Sequence, residues 1–179
     1  MEGEDMQKCD RTRFTARIAL YGVMTALALV FGYIEHLIPF PIGIYGIKLG
    51  LANLVVVVML YVMNWHSALI INLLRIFLSS LLFGSFTSFV YSISGGLLSF
   101  FVMIAVKKLC AARFSVVGVS ICGAVAHNIG QIIAAIFLLD ELRIAFYLPV
   151  LIAVGTLTGA LIGIIAFPVT RHGVFKKFQ

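Results

Sequence analysis

The sequence predicts an all-α fold, a polytopic membrane protein built as a six-helix transmembrane bundle. Three observations predict it. The 179 residues are 62% hydrophobic and only 11% charged, where an ordinary soluble domain carries about 25% charge. Long apolar runs recur along the chain, most of them near the roughly 20 residues that cross a bilayer core of about 30 Å. The cations bracket these runs asymmetrically. Lys8, Arg11, Arg13, Arg17, Lys107, Lys108, Arg113, Arg171, Lys176 and Lys177 fall on one side, and only Lys48 and Arg143 on the other. By the positive-inside rule the first set is cytoplasmic. Both termini are then expected in the cytoplasm, as an even number of spans requires.

A charged segment, residues 1–13, precedes the transmembrane domain, residues 14–169, and a basic tail, residues 170–179, follows it. Helix one is expected over Phe14–Ile38. It runs past the length of a signal-type apolar region with no small-residue cleavage site, so it reads as a permanent span. Pro39 and Pro41 stop it. An apolar loop rich in glycine, residues 42–50, carries Lys48 and has the composition of a hinged lid over an outward mouth. Helix two, Leu51–Met63, is short for a full crossing and is expected to be tilted or partial. Asn64, Trp65 and His66 make an interfacial turn, with Trp65 at headgroup depth. Helix three, Ser67–Phe83, leads to the polar stretch Gly84–Ser88. Helix four, Phe89–Val106, contains Gly95-Gly96 and ends at a basic loop, Lys107–Arg113. Helix five, Val116–Leu139, closes at Asp140–Arg143, and helix six spans Tyr147–Val169.

Arg75 is the only charge inside helix three. A cation at mid-bilayer costs about 2.5–3.5 kcal/mol on insertion scales unless it is paired or hydrated. It therefore either braces the bundle or meets a ligand. Helix five carries His127, Asn128 and Gln131, with His127 and Gln131 one turn apart on the same face. They are candidates for an interhelical hydrogen-bond network or for a polar ligand site. Glu35 and Lys48 lie by count near the outer mouth, where they are either solvated or part of the same site. Together Lys48, Arg75, His127, Asn128, Gln131 and Glu35 form the candidate ligand-binding set, which would favour a small anionic molecule. The pocket is expected between helices one, three, five and six and the first loop.

Two stripes of small residues permit close helix approach. Thr15, Ala19, Gly22 and Ala26 line one face of helix one, suited to packing within the chain or to docking a partner subunit. Gly155, Gly159 and Gly163 form a ladder on helix six, suited to packing in the bundle. No phosphate loop, metal-protease motif or nucleophile elbow is present, so no catalytic residue is nominated. No aspartate cluster is available to hold the Mg²⁺ of prenyl diphosphate chemistry. Cys9, Cys110 and Cys122 form no metal-binding or redox motif, and neither a metal nor another cofactor is expected. The basic residues form no stripe, which argues against nucleic acid as a partner. The partner that follows from composition is the lipid bilayer.

The strings Gly32–Pro41 (GYIEHLIPFP), Gly46–Leu54 (GIKLGLANL), Leu74–Phe83 (LRIFLSSLLF) followed by Gly84-Ser85, Tyr91–Leu98 (YSISGGLL) and Val117–Gln131 (VGVSICGAVAHNIGQ) resemble those of the Gx transporter family, also named heptaprenyl diphosphate synthase component I. The resemblance covers about residues 15–170. That family is similar to the S components of energy-coupling factor transporters. The resemblance implies a six-helix subunit of a bacterial cytoplasmic membrane that binds a small-molecule ligand near the outer face. It implies docking through helix one, onto which the stripe Thr15, Ala19, Gly22 and Ala26 maps, to a transmembrane coupling subunit with its ATPases. It also implies that loop 39–50 gates the pocket. The synthase name implies instead a noncatalytic membrane partner for a soluble prenyl synthase subunit in menaquinone side-chain synthesis. Relatives linked to extracellular electron transfer imply a third role, as membrane partner in a quinone- or flavin-linked system.

Overall fold

The computed structural model describes residues 2–37, 50–109 and 114–171. Those residues form six α-helices in chain order: α1 (Glu2–Leu37), α2 (Asn53–Val62), α3 (Trp65–Phe83), α4 (Phe86–Leu109), α5 (Val116–Leu139) and α6 (Leu148–Arg171), with a 3-10 turn at Leu142–Tyr147 before the last. There is no strand among them. Five are long and apolar enough to cross a membrane, and α2 is the short exception. The chain is thus an all-α, multi-pass membrane bundle.

Several boundaries differ from those expected. α3 begins at Trp65 and not Ser67, so that Trp65 and His66 belong to the helix and not to a turn. α4 runs on to Leu109 and not Val106, and α6 spans Leu148–Arg171 and not Tyr147–Val169. The first helix begins at Glu2 and not Phe14, because residues 2–13 contain no proline and are rich in Glu, Gln, Lys, Arg and Met, all good helix formers. The fourth begins at Phe86 and not Phe89. Ser85 explains this, since its Oγ accepts the backbone N–H of Ser88, a local bond that starts the helix inside the polar stretch. The second is shorter still than expected. At 1.5 Å per residue its ten residues span about 15 Å, half the hydrocarbon core. The gate-like loop, including Lys48, and the segment 172–179 lie outside the described residues.

α5 is the central helix. More than half of its membrane window is buried (56%), against a third or less for the other four long helices. In lipid there is little hydrophobic drive between helices, so close contact and interhelical hydrogen bonds carry the packing. Glycine provides that contact. A Cβ on Gly155, Gly159 or Gly163 of α6 would fall within 2.5–2.7 Å of atoms of α5. On the other flank a Cβ on Gly130 of α5 would fall 2.8 Å from the Ser94 carbonyl of α4. The ladder on α6 therefore packs within the bundle.

α2 is enclosed, with Val55–Leu60 all buried in the main core beside Ile71, Phe100, Met103 and Ile162. Its two ends are fixed differently. At the start, Gly50 adopts φ +81°, a conformation that favours glycine. At the end, the Lys107 ammonium of α4 donates to the Leu60 carbonyl and stands 4.5 Å from the Tyr61 ring centre. Lys108 lies over Trp65 at 5.9 Å. The turn between α2 and α3 and the basic end of α4 therefore share one end of the bundle. Near this end Tyr21 of α1 hydrogen-bonds Ser67 of α3 at 2.6 Å.

Candidate functional site

Arg75 stands midway along α3 and is 9% exposed. Its Nε donates to Asn72 Oδ1 at 3.0 Å, one turn back on the same helix. Its Nη2 donates to Asn53 Oδ1 at 2.7 Å, at the first residue of α2. Asn72 is itself held, because its Nδ2 donates to the Gly96 carbonyl of α4 at 3.1 Å. The approach depends on Gly96, where a Cβ would meet Ile76 at 2.6 Å. Arg75 is thereby tied to α2 directly and to α4 through Asn72.

The counter-charge comes from α1. Glu35 is buried, its carboxylate accepts the backbone N–H of Gly50, and its charge acts on the Arg75 guanidinium. An unpaired ion in lipid costs several kcal/mol, and this opposition of signs, with the amide oxygens, favours the burial of Arg75. A guanidinium has five N–H donors, and the bonds to Asn72 and Asn53 use two. The rest have no acceptor among the described residues.

Glu35 and Arg75 border one cleft, with His127 of α5, Ser92 of α4 and Ser79 of α3. Ala28 and Gly32 of α1 and Gly50 and Ala52 before α2 complete its wall. The space inside is about 400 Å³ with its open mouth included, and its enclosed part is no larger than a water or two. The wall is chemically mixed, with one cation, one carboxylate, an imidazole and two hydroxyls set among small residues. It can hydrogen-bond a polar group and oppose a charge of either sign. Among the described residues no cluster of His, Cys, Asp or Glu is placed to hold a metal ion.

Glu35, Arg75 and His127 are brought together as one wall, while Lys48 lies outside the described residues. Asn128 is turned away from the cleft. Its Nδ2 donates to the Leu151 carbonyl of α6 at 2.7 Å, and it packs over Gly155. Successive helical residues lie about 100° apart, so Asn128 cannot share the face of His127. Gln131 does share that face but borders α4 at Gly95 and not the cleft wall itself. The cleft also recruits α4 through Ser92, where α6 had been expected, because α6 packs on the opposite flank of α5.

The sequence reading missed Asn53, Asn72, Ser79 and Ser92. Asn72 had a visible signal, an amide one turn before a lone buried arginine. Asn53 had none, because only the tertiary fold brings the start of α2 to the middle of α3. On α1, Thr15, Ala19, Gly22 and Ala26 are all exposed. A Cβ on Gly22 would meet nothing within 4 Å, so this stripe has no packing partner among the described residues.

A family model described as heptaprenyl diphosphate synthase component I matches residues 24–168. Comparison with curated proteins and with solved structures returned no match.

Proposed function

The chain belongs to the heptaprenyl diphosphate synthase component I family, and we propose that it is a noncatalytic, membrane-embedded binding subunit for a small anionic ligand. The observation that carries this reading is the convergence of Arg75, Glu35 and His127, from three helices, on one cleft. Intramembrane ionisable groups facing a cavity are the usual mark of a ligand or ion path. The N–H groups left on Arg75 are the complement of an oxyanion, and His127 and Ser92 would orient the rest of the molecule.

On this reading the subunit resembles an S component, and uptake is energised by separate ATPases through a coupling subunit. The exposed stripe on α1 is the docking face. Its support is the contrast with α6, where the same kind of stripe is fully used in packing. Lys48 belongs to the binding set by its place before Gly50 in the sequence, and Asn128 supports the site indirectly by fixing α5 to α6. A bacterial cytoplasmic membrane with both termini inside is the matching location.

The family name supports a second reading, as a membrane partner of a soluble prenyl synthase subunit. Two experiments separate them. Purified full-length protein should show a raised melting temperature with isoprenoid diphosphates, flavins or quinone precursors, and no shift with any of them would sink the binding reading. Affinity capture from native membranes should return ATPases and a coupling subunit. Recovery of a prenyl synthase instead, together with a requirement for this chain in its activity, would establish the second role. Recovery of redox proteins alone would point to the electron-transfer role.

A further inference from the structure

Gln131 is 4% exposed, and neither its Nε2 nor its Oε1 has a hydrogen-bond partner among the described residues. Leaving a buried polar group unsatisfied is costly, and natural proteins do so rarely without a function or an ordered water. Here both halves of one amide are idle, within a bundle whose other buried amides, Asn53, Asn72 and Asn128, are bonded. Its Cγ lies against Gly95 of α4, where a Cβ would come within 2.7 Å of the His127 carbonyl and 2.9 Å of Gln131 itself.

Its position explains what the amide is for. Gln131 stands one helical turn, about 5.4 Å, beyond His127 on the same face of α5. His127 borders the cleft. α4 runs antiparallel to α5, and its Gly95 meets both the His127 carbonyl and the Gln131 side chain. Ser92, one turn from Gly95 toward the start of α4, borders the cleft. The amide of Gln131, one donor and one acceptor side by side, thus lies between two cleft-lining residues, His127 on its own helix and Ser92 on the next.

We propose that Gln131 is a specificity residue that reads a lactam, imide or carboxamide edge of the ligand. Such an edge presents an acceptor next to a donor and pairs with a glutamine amide through two parallel hydrogen bonds. An isoprenoid tail presents neither and would leave the amide idle. The inference rests on the binding reading given above and sharpens it: the ligand joins an anionic group, facing Arg75, to a hydrogen-bonding ring or amide about one helical turn away. A site built to hydrogen-bond such an edge rejects analogues lacking it far more strongly than a hydrophobic pocket discriminates by size.

The test uses full-length protein in detergent or nanodiscs and a panel of ring carboxylates. Orotate represents those with an imide edge, and benzoate and toluate those without. The expected result is tighter binding of the imide carboxylates, at least tenfold, measured by calorimetry or thermal shift. Gln131→Leu should erase that preference by lowering imide-carboxylate affinity to the level of benzoate, whereas Arg75→Gln should weaken both classes. Should Gln131→Leu not fold, Gln131→Met keeps the side-chain length and serves the same comparison. Equal binding of both classes to the wild type, or a preference that survives in the Gln131 variant, would overturn the proposal and leave the cleft reading intact. A Gln131→Leu protein that is more stable and binds identically would show that the amide holds an ordered water only. Absence of binding by either class would instead tell against the anionic site itself.

Discussion

A guanidinium inside a lipid-embedded helix needs acceptors and a counter-charge at its own depth. Arg75 obtains acceptors from Asn72 and Asn53 and counter-charge from Glu35. It is both brace and wall, since the same side chain joins α3 to α2, reaches α4 through Asn72, and borders the cleft. Arg75→Leu removes the hydrogen bonds to Asn72 and Asn53, which costs about 1.5–3 kcal/mol for each charged bond. Lower folded yield and a lower melting temperature are therefore expected. Adding Glu35→Gln to Arg75→Leu should recover part of the loss, because Glu35 then no longer carries a charge that Arg75 opposed. No recovery in the double variant would show that the two charges do not oppose each other. The cost of Arg75 was legible in the sequence from one residue in one apolar run. Its hydrogen-bond partners were not: of the helix-five candidates His127 shares the cleft wall, while Asn128 bonds α6 and Gln131 lies against α4, and Asn53 reaches Arg75 only through the fold.

At the scale of elements, glycines set the distances. Gly130 lets α5 touch the backbone of α4, and an alanine Cβ there would sit 2.8 Å from the Ser94 carbonyl. Gly130→Ala should destabilise by about 1–3 kcal/mol, the usual range for overpacking, as measured by thermal or denaturant unfolding in detergent. Gly22→Ala, with open space around it inside a helix, should not destabilise and is expected to add about 0.4–1 kcal/mol. A larger Gly22→Leu change that spares folding but prevents co-purification of a partner would support the docking face. Both stripes were visible in sequence as small residues three and four apart. Which one is buried was not, because spacing gives a face and not its neighbour. α2 makes the same point. Its shortness was legible, but its dependence on Lys107 was not. Lys107→Met removes a charged hydrogen bond to the last turn of α2. About 1.5–3 kcal/mol of stability should go with it, and unchanged unfolding would show that the short helix holds its end without a cap.

For the whole molecule, contacts and charge pattern meet at the ends of the bundle. The contacts of Lys107 and Lys108 with Tyr61 and Trp65 place the α2–α3 turn and the basic end of α4 together. The Glu35–Gly50 contact gathers the end of α1 and the start of α2 elsewhere. That alternation is what the charge pattern required of successive spans. A cytoplasmic position for the basic end predicts that Cys9 and Cys110 resist a membrane-impermeant maleimide applied to intact cells and react after permeabilisation. Labelling of either from outside would invert the topology. The all-helical, multi-pass architecture was readable from composition, run length and cation placement, since those are the properties a bilayer selects. The cleft was readable only in part, because a hollow is made by what three helices leave between them.

The most direct test of the binding role is ligand affinity at Arg75. Wild-type protein and Arg75→Gln, matched for folded content in nanodiscs, would be titrated with isoprenoid diphosphates, flavins and quinone precursors. Binding of at least one by the wild type, weakened tenfold or more in the variant, is the expected result. Equal affinity in the two proteins would contradict it and leave Arg75 a brace alone.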